Sequence, residues 1–87
     1  MNITISPKAE KKLKKFPKFD QIAIGQKIRV LGTSQNPLGE EKLGGFKDIY
    51  HVRVGDYRIV YRRSSQQIYI IIIGHRKEVY ELLNRLV

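Results

Sequence analysis

The sequence predicts an α+β fold with the element order β-α-α-β-β-β-α. Helical hydrophobic spacing follows a short alternating N-terminus, strand-like alternation runs from about residue 49 to residue 73, and helical spacing returns near the C-terminus. At 87 residues the chain makes a single domain, residues 1–87. We therefore expect a two-helix hairpin packed on one face of a small, mostly antiparallel four-stranded sheet, with a short C-terminal helix.

The N-terminal residues predict a strand followed by a helix. Ile3 and Ile5 alternate with polar residues, as in a strand with one buried face. Ser6 can cap free helix amides, and Pro7 is preorganised for the first helical position, so a helix is expected to start here. Its apolar stripe consists of Ala9, Leu13 and Phe16. Pro17 is expected to end it.

A second helix is predicted from Asp20, whose carboxylate can cap the first amides, to Leu31. Ile24 and Ile28 share a face with Leu31, and Gly32 is a typical stop signal. The two helices form a hairpin. The stretch Thr33–Gly45 is rich in Ser, Asn, Pro and Gly and predicts a loop.

Three strands are predicted after Phe46, at Ile49–Val54, Tyr57–Arg63 and Ile68–Ile73, forming an antiparallel meander. The third is apolar on both faces, which indicates a position inside the sheet or under partial cover. From Arg76 the helical period returns. The stripe of this C-terminal helix consists of Val79, Leu82, Leu83 and Leu86.

The turn Gly55-Asp56 fixes the register of the first two strands in the meander. A two-residue loop sets Arg53 opposite Arg58. One face is then entirely apolar or aromatic and is expected to face the core: Tyr50, Val52, Val54, Tyr57, Ile59 and Tyr61. The other face carries His51, Arg53, Arg58, Val60 and Arg62. Like charges directly opposite each other are destabilising, so an anion between the two arginines would explain the pair.

Two readings of this second face stay open at this point. It is a phosphate-sized site, or it is a solvated sheet face, and a bulge at the turn would scatter its residues. The segment after the third strand favours a site, because His75 and Arg76 follow Gly74 at the strand end. Tyr80 lies four residues after Arg76 and shares its helix face.

The net charge of +9, from 17 Lys and Arg against 8 Asp and Glu, indicates a polyanionic partner. Lysines dominate the first half, and those around the first helix are Lys8, Lys11, Lys12, Lys14 and Lys15. They form either a solvated helix face or a set of contacts to RNA phosphates. In the second reading Arg62 is a further contact. No cysteine, transmembrane run or signal peptide is present, so we expect a cytoplasmic protein without a metal or cofactor and without a membrane partner.

Arginines, a tyrosine and histidines without a carboxylate cluster suit metal-independent RNA cleavage. In that reaction the 2′-hydroxyl attacks the adjacent phosphorus, so a base, donors for the phosphoryl oxygens and an acid for the leaving 5′-oxygen are needed. Arginines supply the donors. His51 or His75 supplies the proton transfers, and Tyr80 can stack on a base.

The segments YHVRVGDYRIVY, at 50–61, and GHRKEVY, at 74–80, closely resemble the RelE/ParE superfamily of bacterial and archaeal toxins. The resemblance implies a type II toxin that is silenced by an acidic segment of a RelB-like antitoxin, with the complex repressing its operon at operator DNA. RelE-like members cut mRNA in the ribosomal A site, so the ribosome and mRNA are implied partners.

Carried over by position, Arg58 and Arg76 resemble the phosphate-binding arginines of the family, and Tyr80 resembles its stacking tyrosine. His51 and Arg53 stand where RelE has lysines. Because a guanidinium stays protonated, His51 is favoured as the base, with His75 as the second choice. ParE-like members instead poison DNA gyrase, and a non-catalytic basic nucleic-acid-binding module is a further alternative. Retention of Arg58, Arg76 and Tyr80 favours the nuclease branch.

Overall fold

A computed structural model describes residues 2–34, 37 and 39–86. Its strands and helices are β1 Asn2–Ile5, α1 Pro7–Leu13, α2 Lys18–Thr33, β2 Glu41–Lys42, β3 Ile49–Val54, β4 Tyr57–Arg63, β5 Gln67–His75 and α3 Arg76–Leu86. The strands form one sheet in the order β1-β5-β4-β3-β2. β1 pairs with β5 in parallel, and the other pairs are antiparallel. The predicted fold class is confirmed.

The expectation of four strands was one short. Within the predicted loop Thr33–Gly45, Glu41 and Lys42 form β2 and pair with His51 and Tyr50 of β3. A two-residue strand carries no alternation that a sequence pattern can reveal. This edge strand matters because it brings Glu41 beside the buried His51.

The two N-terminal helices differ from prediction at their ends. Ser6 caps α1 as expected, and its hydroxyl accepts a hydrogen bond from the Ala9 amide at 3.0 Å. α1 ends at Leu13, earlier than Pro17 suggested. α2 begins directly after Pro17, so Asp20 lies inside its first turn and is not the cap. Gly32 was wrongly predicted to stop this helix, which continues to Thr33.

Two hydrophobic cores cover the two faces of the sheet. The first lies under α1 and α2 and contains Ala9, Ile24, Ile28, Leu31, Val52, Tyr57, Ile59, Tyr61, Ile68, Ile70 and Ile73. The second lies under α3 and contains Ile49, Val60, Ile72, Val79 and Leu83. The predicted core face of the hairpin is confirmed. The opposite face is not simply solvated, since α3 buries Val60 completely; the side chain of Leu86 lies outside the described part.

A bulge in β5 supplies both cores with isoleucines. The β4–β5 register shifts between Val60 and Tyr61, so Ile71 has no partner in β4. Ile70 and Ile73 consequently both face the first core. Ser6 satisfies this irregular backbone, because its hydroxyl donates to the Ile71 carbonyl at 2.8 Å and its amide donates to the Ile70 carbonyl at 2.9 Å.

A largely buried ionic cluster holds the segment before β2 on the sheet. The Arg63 guanidinium donates to the Glu40 carboxylate at 2.7 Å, and the Tyr61 hydroxyl donates to the same oxygen. Burial and this hydrogen bond raise the pKa of Tyr61 well above its usual value. The Arg63 guanidinium also lies 5.8 Å from the Tyr61 ring centroid. No helix in the described residues is long and apolar enough to cross a bilayer.

Candidate active site

The β3–β4 hairpin sets the geometry of the predicted site. Arg53 and Arg58 are directly paired in the register, as the two-residue loop predicted. Gly55 occupies the first turn position with a φ of 59°, a conformation that suits glycine and belongs to the II′ hairpin turn. Cross-strand neighbours lie about 4.5–5.5 Å apart at Cβ, so both guanidinium groups begin close together.

The hairpin turn and the junction of β5 with α3 enclose a cleft of about 420 Å³. Its lining residues are Arg53, Gly55, Asp56, Arg58, His75, Arg76 and Lys77. β5 runs without an intervening turn into α3, which places His75 at the last strand position and Arg76 at the first helical one. Four predicted site residues therefore meet here, in a lining with four permanent cations and one acid.

The guanidinium groups of the paired arginines are oriented differently. Arg53 donates from Nε to the carbonyl of Gly55 at 2.8 Å, which fixes the side chain over the turn and leaves its terminal amino groups for other acceptors. Arg58 is half-buried, and its Nη1 lies 3.5 Å from Nδ1 of His51. Both arginines line the cleft, and each guanidinium is held by a different partner.

His51 lies behind Arg58 and is only 8% exposed. Burial, together with the neighbouring Arg58 charge, lowers the pKa of His51, and Glu41 partly opposes this effect. A guanidinium only donates, so a hydrogen bond from Arg58 to Nδ1 would be made by the neutral imidazole that carries its proton on Nε2. Nε2 lies 3.9 Å from the Glu41 carboxylate.

His75 is exposed at the cleft, and its ring packs on a tilted row of two aromatic rings. Its ring centroid lies 4.6 Å from that of Tyr57, which in turn lies 4.4 Å from the Phe16 ring. The Tyr57 hydroxyl donates to Asp20 at 3.0 Å. Burial and this bond raise the pKa of Tyr57, so the phenol stays protonated and keeps its donor role. Tyr57 therefore orients the imidazole from the core side.

Tyr80 connects α3 to the same group of residues. Its ring meets that of His51 edge-on, with centroids 6.5 Å apart and planes at 73°. It is 38% exposed, so one side of the ring remains available for stacking. Of the six residues predicted for catalysis, four line the cleft. His51 contacts Arg58 from behind, and Tyr80 contacts His51.

The predicted lysine surface is only partly free of internal partners. Lys12 forms an ion pair with Glu78 of α3, and Lys14 pairs with Glu10 at 3.3 Å. Lys8 and Lys11 are exposed on α1, and Lys15 is exposed just after its C-terminal end. Arg62 is exposed on β4, four residues from Arg58 and at the other end of the strand.

Sequence reasoning missed several contributors to the site. Lys77 and Asp56 line the cleft. Lys77 follows Arg76 and Asp56 lies two residues before Arg58, so proximity in sequence was the available signal. Glu41 and Tyr57 act on the two histidines from β2 and β4. Glu41 carried no signal because its strand was not recognised.

The fold and cleft define a class of small basic α+β proteins that gather arginines and an imidazole around one cleft. Residues 3–80 match the model of the ParE toxin of type II toxin–antitoxin systems, parDE. The chain belongs to this family of toxins, within the RelE/ParE superfamily. No curated protein is significantly similar to it in sequence.

Solved structures of related toxins share the fold. The RelB–RelE antitoxin–toxin complex from Methanococcus jannaschii matches with 26% identity and a TM-score of 0.75, covering 91% of this chain and 96% of that chain. The isolated Escherichia coli RelE toxin has 24% identity and a TM-score of 0.75, with 99% and 98% covered. The YoeB dimer from Staphylococcus aureus has 25% identity and a TM-score of 0.75, with 87% and 97% covered.

Proposed function

We propose that this type II toxin is a ribosome-dependent, metal-independent endoribonuclease that cleaves mRNA in the A site and so inhibits translation. The observation that carries the proposal is the convergence of Arg58, Arg76 and His75 on one cleft. When a 2′-hydroxyl attacks phosphorus, guanidinium groups can stabilise the phosphoryl oxygens and an imidazole can transfer the proton.

In the proposed reaction the 2′-oxygen bonds to the adjacent phosphorus, its proton passes to a base, and the 5′-oxygen leaves with a proton from an acid. The products are a cyclic phosphate and a free 5′-hydroxyl. Arg58 and Arg76 donate to the non-bridging oxygens, where negative charge grows. Tyr80 stacks on a substrate base. Arg53 adds positive charge beside the turn.

The two histidines take different roles in this proposal. The sequence favoured His51 as the base, but its ring lies behind Arg58, whereas His75 lines the cleft itself. We assign proton transfer to His75 and a positioning role to His51, which holds the Arg58 guanidinium. A neutral His51 adds no positive charge beside Arg58, so the guanidinium can approach the phosphate without a second buried cation behind it.

A cognate antitoxin is the proposed regulatory partner. The related structures from Methanococcus jannaschii and Escherichia coli include complexes of RelE with RelB. An acidic antitoxin segment would be attracted by the net charge of +9 and would compete with RNA for the cationic surface. We further propose that the toxin–antitoxin complex binds operator DNA.

Inhibition of DNA gyrase is the second candidate function. The observation that favours it is the family model, whose description names the ParE toxin. A gyrase inhibitor would need no proton-transfer group, so its toxicity would survive replacement of His75.

Induction of the chain in cells, with mapping of mRNA 5′ ends, tests the nuclease proposal. We expect cuts in register with codons, and we expect Arg58→Ala to reduce them by about 10²-fold or more, as loss of one transition-state donor does. Arg29→Ala removes an exposed arginine of α2 and is the matched control, which should cut normally. DNA breaks without codon-phased cuts, or undiminished cutting by Arg58→Ala, would overturn the proposal.

A further inference from the structure

Part of the sheet face that carries α3 is exposed to solvent at Thr4, Tyr69 and Arg62. There β1, β5 and β4 lie side by side, and Tyr69 is in β5, between the other two. The register pairs Tyr69 with Thr4 on one side and Arg62 on the other. Paired residues project from the same face, and this face is opposite the one on which Ile68 and Ile70 enter the first core.

Tyr69 is an exposed aromatic in an otherwise aliphatic stretch. Its neighbours Ile68 and Ile70 are completely buried, whereas Tyr69 is 37% exposed. A shallow cleft of about 310 Å³ adjoins the ring and is lined by Arg62, Ser64, Gln67 and Tyr69. This lining, as described, holds one cation and no acid.

Polar groups beside the ring are already oriented. The Gln67 amide donates from Nε2 to the Thr4 hydroxyl at 3.1 Å, which turns the amide along the sheet surface. Its carbonyl oxygen remains an acceptor, and Arg62 remains a donor. An open sheet that displays an aromatic ring between polar side chains is how several folds hold unpaired RNA bases.

We propose that Tyr69, Arg62 and Gln67 form a second subsite for single-stranded RNA, separate from the cleavage cleft. Tyr69 stacks on an unpaired base, Arg62 contacts a phosphate, and Gln67 reads a base edge. Arg62 lies four residues from Arg58 along β4, a distance of about 13 Å, so one RNA strand can reach both places. The choice of RNA as ligand rests on the proposed function.

Binding of an uncleavable RNA tests the subsite independently of catalysis. The probe is a fluorescein-labelled, unstructured 2′-O-methyl RNA of about eight nucleotides, and anisotropy gives Kd between about 50 and 200 mM salt. We expect Tyr69→Ala to weaken binding by about 5- to 100-fold with an unchanged salt slope, which is the loss expected for one base–aromatic stack. Tyr69→Phe keeps the ring and should bind like the wild type.

Two further variants make the result specific. Arg62→Gln should reduce the salt slope by about 0.7, the contribution of one phosphate contact in a single strand. Phe19→Ala is the matched control, because Phe19 is an 81% exposed aromatic on α2, across the sheet, and it should bind normally. Circular dichroism melting verifies that each variant is folded.

Wild-type protein that does not bind the probe, unchanged affinity in Tyr69→Ala, or an equal loss in Phe19→Ala would overturn the inference. These outcomes are separate from the test of Arg58. Codon-phased cleavage with normal RNA binding by Tyr69→Ala would remove the subsite and leave the nuclease proposal standing. If Tyr69→Ala weakens RNA binding but the wild type cuts no mRNA, the subsite stands and the nuclease proposal is removed.

Discussion

Among single residues, His51 illustrates how surroundings decide a chemical role. The ring is nearly buried, and the Arg58 guanidinium lies against Nδ1. Both factors disfavour a second positive charge and lower the pKa of the imidazole. On the other side of the ring, Nε2 lies 3.9 Å from the Glu41 carboxylate. His51 therefore acts on the site through Arg58, whereas His75 offers an exposed imidazole to the cleft.

The lowered pKa of His51 predicts a loss of stability in mild acid. The ordinary pKa of 6.5 applies to the unfolded chain, so below that pH the unfolded state binds the proton more readily than the folded state. The contribution of His51 to the free energy of unfolding is complete above pH 6.5. It falls as the pH drops below 6.5 and becomes constant below the pKa of the folded state.

Melting temperatures of the wild type and His51→Gln between about pH 7.5 and 5.5 measure this effect. Glutamine can still accept a hydrogen bond from Arg58 but does not titrate, so its curve should be flatter. All carboxylates are common to the two proteins, and the difference between the curves therefore isolates His51. Parallel curves would show that the protonation of His51 is not linked to folding.

At the scale of elements, the short strand β2 depends on the cluster that precedes it. β2 contributes only two residues to the sheet, which is too little to hold an edge strand by backbone pairing alone. Glu40, next to it, is tied to Arg63 and Tyr61 of the central strand β4. This anchor keeps Glu41 beside His51.

Glu40→Ala should therefore destabilise the fold by about 2–4 kcal/mol, because it removes a carboxylate from largely buried cationic and hydroxyl partners. The side chains of Glu40 and Arg63 are only 12% and 14% exposed. Glu10→Ala breaks the exposed pair with Lys14 and should cost less than about 1 kcal/mol. Urea unfolding at neutral pH compares the two, and equal losses would contradict the role given to the cluster.

The elements also show what sequence reasoning could reach. The hairpin register could be predicted from the Gly55-Asp56 turn alone, because the length of the loop fixes which residues of the two strands are paired. The arginine pair was predictable for that reason. His75 was expected near it because it follows Gly74 at a strand end, where site residues are common. β2 and the β5 bulge were not, since Glu41-Lys42 is too short for a pattern and a run of isoleucines does not reveal which members face which core. The roles of Glu40 and Tyr57 could not be predicted either, because their partners, Arg63 and His75, are distant in sequence.

For the whole molecule, the arrangement of charge separates general attraction from specific binding. The cations behind the net charge of +9 include a lysine cluster on and just after α1 and arginines on the sheet and α3. Lysine suits non-specific phosphate contacts, whereas the arginine fork can fix one phosphate in place. The Lys12–Glu78 pair also joins α1 to α3, so one lysine has a structural role beside the exposed ones.

We predict that the exposed lysines on and just after α1, here called the α1 surface, bind ribosomal RNA without taking part in cleavage. Replacing Lys8, Lys11 and Lys15 together by Gln should reduce the salt slope of ribosome binding by about 2, at about 0.7 for each phosphate contact. Cleavage at saturating ribosome concentration should be unchanged. The matched control replaces three exposed cations elsewhere, Arg29, Lys42 and Lys47. If both triple variants lose the same slope, attraction depends on net charge alone, and the α1 surface is not a contact site.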